Sequence, residues 1–371
     1  MRIAQIAPPF ETVPPVGYGG TERVVSTLAE ELVRRGHDVT LFASGDSRTS
    51  ARLVPTVDRA LWRREPRYED LAPFWSVTLG RVLRHADEFD VVHSHLDVFG
   101  LPLCRAGLGP VVTTMHGRLD LPELLPVFEE FHDAPVVSIS DAQRRPLPAA
   151  RWIATVHNGI DLDQFTPRAE PGQYLAFLGR VSRAKGLHLA IQVARKARMP
   201  IKVAARLPLP FSLLADWRAD HEYYEHEVKP LLASADVEFV GEIGGPDKDG
   251  FLGGAAALLF PIQWPEPFGL VMPEAMACGT PVVALRNGSV PEVVRHGVTG
   301  FVCDSVDEMV EAVARIGQID RRACREDVER RFSPSAMADG YEAVYRELAE
   351  NPLPPELFGG STLIGQSLVE A

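Results

Sequence analysis

The sequence of 371 residues has no run approaching the ~18 consecutive apolar residues of a membrane-spanning helix. Its opening segment, Met1-Arg-Ile-Ala-Gln-Ile-Ala7, meets Pro8-Pro9 too soon to read as a signal peptide. A soluble, cytoplasmic protein is therefore expected, in peripheral contact with a membrane at most. Cysteine is scarce: the four residues Cys104, Cys278, Cys303 and Cys324 show neither metal-ligand spacing nor a disulfide framework, which fits a reducing compartment. Positive charge is in deficit as well, with 38 Lys and Arg against 50 Asp and Glu. The net charge of -12 argues against nucleic acid as a partner. No internal repeat or low-complexity segment is present.

What is present belongs to a soluble globular chain, 46% hydrophobic and 24% charged, long enough for two domains. Short apolar strands alternate with helical segments. Strands are expected at Ile3 to Ala7, Val39 to Ala43, Val91 to His93, Val111 to Thr114 and Val136 to Ser138. Helices are expected at Thr21 to Arg35, Asp70 to His85, Val98 to Cys104 and Pro122 to Phe131. Asn158-Gly159 reads as a turn, and Thr166-Pro-Arg-Ala-Glu-Pro-Gly172 as a linker. The pattern then resumes: strands at Tyr174 to Leu178, Ile201 to Ala204 and Val237 to Val240, and helices at Leu187 to Lys196 and Tyr223 to Ala233. Such alternation predicts parallel sheets covered on both faces, with ligands at the carboxyl ends of the strands.

Three loops carry chemistry. Gly17-Tyr-Gly-Gly-Thr-Glu22 feeds a helix whose free N–H groups favour an anion. It is not a Gly-x-Gly-x-x-Gly dinucleotide fingerprint, because Glu22 takes the last position. Gly179-Arg-Val-Ser-Arg-Ala-Lys-Gly186 offers the Arg180 fork and the Lys185 ammonium to a diphosphate. In Trp264-Pro-Glu-Pro-Phe-Gly-Leu-Val-Met-Pro-Glu274, Glu266 and Glu274 bracket a loop turning helical near Leu270. The backbone N–H groups from Phe268 through Gly269 to Val271 face outward there, and the helix should stop at Gly279. Carboxylates beside such a site suit the hydroxyls of a polyol. Ser289 and Glu292 read as a capping box. His93-Ser94-His95 could be a metal pair, but has no third ligand at the right spacing.

The Glu-x7-Glu pattern around Phe-Gly-Leu, followed by Glu-Ala-Met-Ala-Cys-Gly-Thr-Pro-Val-Val-Ala284, resembles the donor-site signature of family 4 retaining glycosyltransferases of GT-B fold. The resemblance implies two Rossmann-like, doubly wound parallel-sheet domains facing a cleft. Residues 1–167 would form the acceptor-side domain and 168–332 the donor domain. The helix 333–350 would pack back on the first domain, with 351–371 as a tail. It further implies that Arg180, Lys185 and the N–H groups near Gly19 and Gly20 stabilise a departing nucleoside diphosphate. Glu266 and the strand-end His116 would contact the donor sugar, and Glu274 the ribose diol. UDP-glucose is the expected donor and an unidentified hydroxyl the acceptor. Same-face attack would give an α-linkage, with no cofactor and no divalent metal; the sequence is read as offering no Asp-x-Asp pair to hold Mg²⁺ or Mn²⁺. A sugar-nucleotide epimerase of the same fold, and a catalytically silent sugar-nucleotide binding protein, are the alternatives from other classes.

Overall fold

The computed structural model describes residues 1–17, 19–65, 68–208 and 217–351. Tyr18, residues 209–216 and the tail beyond Asn351 lie outside the described residues.

Seven strands form the first sheet: β1 Arg2–Ile6, β2 Asp38–Ser44, β3 Arg52–Val57, β4 Val91–Ser94, β5 Val111–Met115, β6 Val136–Ser138 and β7 Trp152–Thr155. Their spatial order is β3-β2-β1-β4-β5-β6-β7, every pair parallel. Six more form the second: β8 Leu175–Arg180, β9 Ile201–Arg206, β10 Val237–Gly241, β11 Ala257–Phe260, β12 Val282–Leu285 and β13 Gly300–Cys303. Their order is β10-β9-β8-β11-β12-β13, again parallel throughout. Both sheets thus have the doubly wound form that strand–helix alternation predicted. Each reverses its winding once, between β1 and β4 and between β8 and β11. Crevices open outside the strand ends at those two points, which is where the glycine loop, His95, Arg180 and Trp264 sit.

Several segments depart from expectation. The edge strands β3 and β7 were not read, nor was β13; Pro55 inside β3 is tolerated because an edge strand can lose one ladder donor. The segment after β4 winds as a 3-10 turn over Asp97–Arg105 around Pro102 rather than as an α-helix. The helix expected at 223–233 already runs from Trp217 and passes through a π-turn at Tyr224–Val228. Asn158-Gly159 makes no turn, and the Ile160 N–H donates to Phe332 O at 2.9 Å.

The helix at Val271–Ala277 does end at Gly279, whose φ of 80° favours glycine. Ser333 accepts the Ala336 N–H and caps the last helix, Pro334–Glu350. That helix lays Tyr341, Tyr345 and Leu348 against Val24, Leu28 and Leu32 of the first helix, Gly20–Arg34. Arg35 clamps the two, reaching Glu31 at 2.9 Å and Asp339 at 2.7 Å. The capping box at 289–292 does not form. Ser289 Oγ donates instead to Phe268 O at 2.9 Å, and Glu292 reaches the other domain, accepting the N–H groups of Asp141 and Ala142 at 2.8 and 2.7 Å.

Candidate active site

One cavity of about 530 Å³ lies between the domains, lined from both sides. From the first domain the glycine loop enters it. Helix Gly20–Arg34 starts there at Gly19, which has no side chain to cap it, and the Glu22 carboxyl accepts the backbone N–H of Glu22 itself. A Cβ on Gly20 would stand 3.7 Å from Leu270 of the second domain, which places the loop directly opposite the Phe268-Gly269-Leu270-Val271 turn. Glu22, one turn into the helix, is almost fully buried, and desolvation pushes its carboxyl up to about 7.

From the second domain come the charged groups. Arg180 ends β8, and its Nε is buried with no hydrogen-bond partner among the described residues; such a group calls for a ligand. Lys185 follows in the 3-10 turn, with Nζ 2.5 Å from Glu266 Oε2 and 5.5 Å from the centre of the Trp264 ring. Trp264 Nε1 donates to the same oxygen at 2.9 Å, so Glu266 Oε1 has no partner among the described residues. Glu274 is 1% exposed and binds Lys248 through both oxygens at 2.7 Å. A carboxylate carries about four lone-pair sites, so this pairing leaves room for a diol. Gly269 has φ 77°, and a Cβ there would meet Met272 at 2.8 Å. Backbone conformation and packing therefore account for that glycine.

At the carboxyl ends of β4 and β5 the histidines form a relay rather than a metal pair. No group of three His, Cys, Asp or Glu among the described residues could hold a metal ion. His95 Nε2 faces Gln5 Oε1 at 2.7 Å, a carbonyl, so it carries the proton. His95 Nδ1 then accepts from His116 Nε2 at 2.8 Å, which leaves His116 Nδ1 as an acceptor on a residue lining the cavity. Burial pushes His116 down to about 3, so it is neutral at any physiological pH. His93 is tied to Tyr345 and Thr114, both at 2.7 Å, and so to the last helix.

Asp97 holds this arrangement in place. Its Oδ1 accepts the backbone N–H of His116 at 2.6 Å and of Gly117 at 3.2 Å, from a backbone with φ 49°. A non-glycine residue in that region is strained and marks a site that depends on it. Two Asp-x-Asp triplets are present after all, at 161–163 and 247–249, contrary to the reading of the sequence. Asp161 caps a 3-10 turn and Asp249 pairs with Arg168 at 2.7 Å, and none of their aspartates lines the cavity.

Two family models account for most of the chain: Glycosyltransferase Family 4 over residues 18–164 and Glycosyl transferases group 1 over 161–330. The chain belongs to glycosyltransferase family 4. Similar proteins include a D-inositol 3-phosphate glycosyltransferase of Arthrobacter sp. (strain FB24), 26% identical and covering 87% of each chain. A phosphatidyl-myo-inositol mannosyltransferase of Mycobacterium tuberculosis (strain H37Rv) is 28% identical, over 94% of this chain and 97% of that one. AviGT4, a glycosyltransferase involved in avilamycin A biosynthesis, superposes with a TM-score of 0.71 at 25% identity, covering 94% and 98%. The two sheets are thus those of a GT-B glycosyltransferase.

For this family 4 enzyme the structure brings Gly19, Gly20, His116, Arg180, Lys185, Glu266, the turn Phe268 to Val271, and Glu274 to one cavity, while His93, Ser289 and Glu292 stand outside its lining. Sequence reasoning missed Lys248, Asp97 and the burial of Glu22. Lys248 lies in an unremarkable Asp-Lys-Asp triplet, and only the fold carries it to Glu274. Asp97 did have a signal, since it follows His93-Ser94-His95 at a strand end.

Proposed function

We propose that this glycosyltransferase moves a hexose from a nucleotide-diphosphate sugar, UDP-glucose being the first to test, to a hydroxyl acceptor with retention of the α-configuration. The observation that carries this reading is the convergence of Arg180, Lys185 and the N-terminus of helix Gly20–Arg34 on one cavity. The leaving diphosphate gains negative charge in the transition state, and fixed positive groups stabilise that change without reorganising. Two side-chain cations and a helix dipole also meet its charge without a divalent ion. Glu266 Oε1 and His116 Nδ1 are acceptors for hydroxyls of the donor sugar, and Glu274 for the ribose diol. In same-face attack the acceptor oxygen bonds to the anomeric carbon as the C–O bond to phosphate breaks, and the departing phosphate oxygen takes the acceptor proton. Four buried, free cysteines support a cytoplasmic setting.

Melting the protein with a panel of sugar nucleotides tests the donor, because a ligand at 100 times its Kd stabilises by ~2.7 kcal/mol. Proton NMR of the product then gives the anomeric configuration. A β-linked product overturns retention, and complete, metal-reversible loss of turnover in EDTA overturns the metal-free clamp.

A further inference from the structure

Aromatic side chains make up only 8% of the sequence, yet four of them, from four separate segments, meet on the first-domain wall of the cavity. Phe10 follows β1, Trp62 lies in the 3-10 turn Leu61–Arg63, Trp75 on helix Pro73–Leu83, and Phe99 two residues beyond Asp97. Trp75 and Phe99 stack at 4.3 Å and 10°, Phe10 and Trp62 at 5.5 Å and 17°, and Phe10 meets Trp75 edge-on at 5.0 Å. Phe99 is 47% exposed and the other three are half-buried. Of the donor groups described above His116 alone stands outside the second domain and the glycine loop, and none of the four rings is among them.

We propose that Phe10, Trp62, Trp75 and Phe99 form the acceptor subsite, and that the acceptor is a neutral glycoside whose pyranose ring lays its C–H face on them. This rests on the glycosyltransferase reading of the same cavity and adds the acceptor's chemical class. Aromatic faces are negative and attract the weakly positive C–H groups of a sugar ring, while the sugar's hydroxyls need acceptors at the ring's rim. Asp97 supplies such an acceptor on the same wall, through the Oδ2 that its two backbone hydrogen bonds leave over. A lipid tail would gain from the rings but would offer the second carboxylate oxygen of Asp97 no hydroxyl donor. A phosphorylated acceptor would meet the carboxyls of Asp97 and Glu22. Among the described residues of this wall the one cation is Arg23, whose Nη2 donates to Gly17 O at 3.2 Å.

The test is saturation-transfer NMR on the full-length protein, irradiating aromatic protons. The probes are methyl α-D-glucopyranoside, methyl α-D-mannopyranoside, methyl β-D-galactopyranoside, myo-inositol 1-phosphate and decyl phosphate. Saturation should reach the ring protons of at least one glycoside and fall fivefold or more in Phe99→Ala and in Trp75→Ala, with the sugar-nucleotide melting shift unchanged. Phe99 is exposed enough that its variant should fold. Transfer to none of the three glycosides, or equal transfer in parent and Phe99→Ala, overturns the proposal. So does transfer confined to either phosphate probe. Ring-dependent glycoside binding by a protein that no sugar nucleotide stabilises would uphold the subsite and refute the donor reading instead.

Discussion

Lys185 and Glu266 form an ion pair with Nζ 2.5 Å from Oε2, and their side chains are only 16% and 10% exposed. The lysine meant for the diphosphate is therefore held by the carboxylate meant for the sugar, and each orients the other at the point where phosphate and hexose join. Lys185→Ala should lower kcat/KM by about 2–4 kcal/mol, roughly thirtyfold to several hundredfold. It should also lower the melting temperature, because a largely buried Glu266 is left unpaired. Combining Lys185→Met with Glu266→Gln should restore the melting temperature but not turnover. Turnover of Lys185→Ala within twofold of the parent would remove lysine from the clamp.

Glu274 meets Lys248 through both carboxylate oxygens, so its charge is balanced before any ligand arrives. Glu274→Gln keeps one acceptor and loses the other, and nucleotide affinity should fall about tenfold, the loss of a hydrogen bond to a charged group. Lys248→Met should cost more in stability, about 3 kcal/mol, since it strands a buried carboxylate. Calorimetric titration with a ribonucleotide and its 2'-deoxy analogue checks the assignment. Equal affinity for the two would place the diol elsewhere.

Glu22 gives a pH dependence with a definite sign. Its carboxyl is raised from the ordinary 4.5 to about 7 by burial, so the folded state binds more protons than the unfolded between those values. Stability is full below 4.5 and declines as pH rises through 7, by about 3 kcal/mol in all. Ionised Glu22 would also repel a diphosphate at the glycine loop, so donor affinity should fall over the same range. Urea melts and donor titrations at pH 5 and 8 measure both effects. In Glu22→Gln both differences should disappear, and their persistence would show that another group titrates.

The parallel sheets were legible because the central strands are buried on both faces and read as continuous apolar runs such as Ala255 to Phe260. The edge strands were not, since Pro55 in β3 and the half-buried Trp152–Thr155 of β7 carry no such pattern. Donor-site residues were legible because they are close in sequence and sit at strand ends. The pairings were not. Lys248 and Glu274 are 26 positions apart, and local pattern says nothing about which cation reaches which carboxylate. Ser289 and Glu292 show local pattern failing outright: the spacing of a capping box is satisfied, but each side chain has a better partner elsewhere in the tertiary structure.

The His95–His116 relay predicts a pH profile without a histidine. His116 is driven down to about 3 by burial, so kcat/KM should show no limb near 6.5. His95→Phe removes the acceptor that fixes the His116 tautomer. It should raise the donor KM more than it lowers kcat, whereas general misfolding would depress kcat. A limb near 6.5 in the parent that disappears in His116→Asn would show that this imidazole titrates normally.

Glu292 ties the two domains across the side of the cleft. Its carboxylate accepts the Asp141 and Ala142 N–H groups and stands 3.4 Å from His157 Nε2. Burial alone would raise its carboxyl, but the hydrogen bonds from His157 and the two N–H groups outweigh that and hold it below the ordinary range. A depressed carboxyl contributes stability above its unfolded value near 4.5, lost as pH falls below it. Glu292→Ala leaves two N–H groups without their charged acceptor, a loss of about 2 kcal/mol each at most where the helix end regains no water. Because those groups belong to one domain and the carboxylate to the other, the loss should loosen the interface rather than either core. Calorimetry should then resolve two overlapping transitions in place of one, and small-angle scattering a larger radius of gyration. Turnover should fall, since the glycine loop and the Arg180 loop no longer keep a fixed separation. A single transition at unchanged radius, with only turnover lost, would mean that Glu292 acts on the substrate instead of on the interface between the domains.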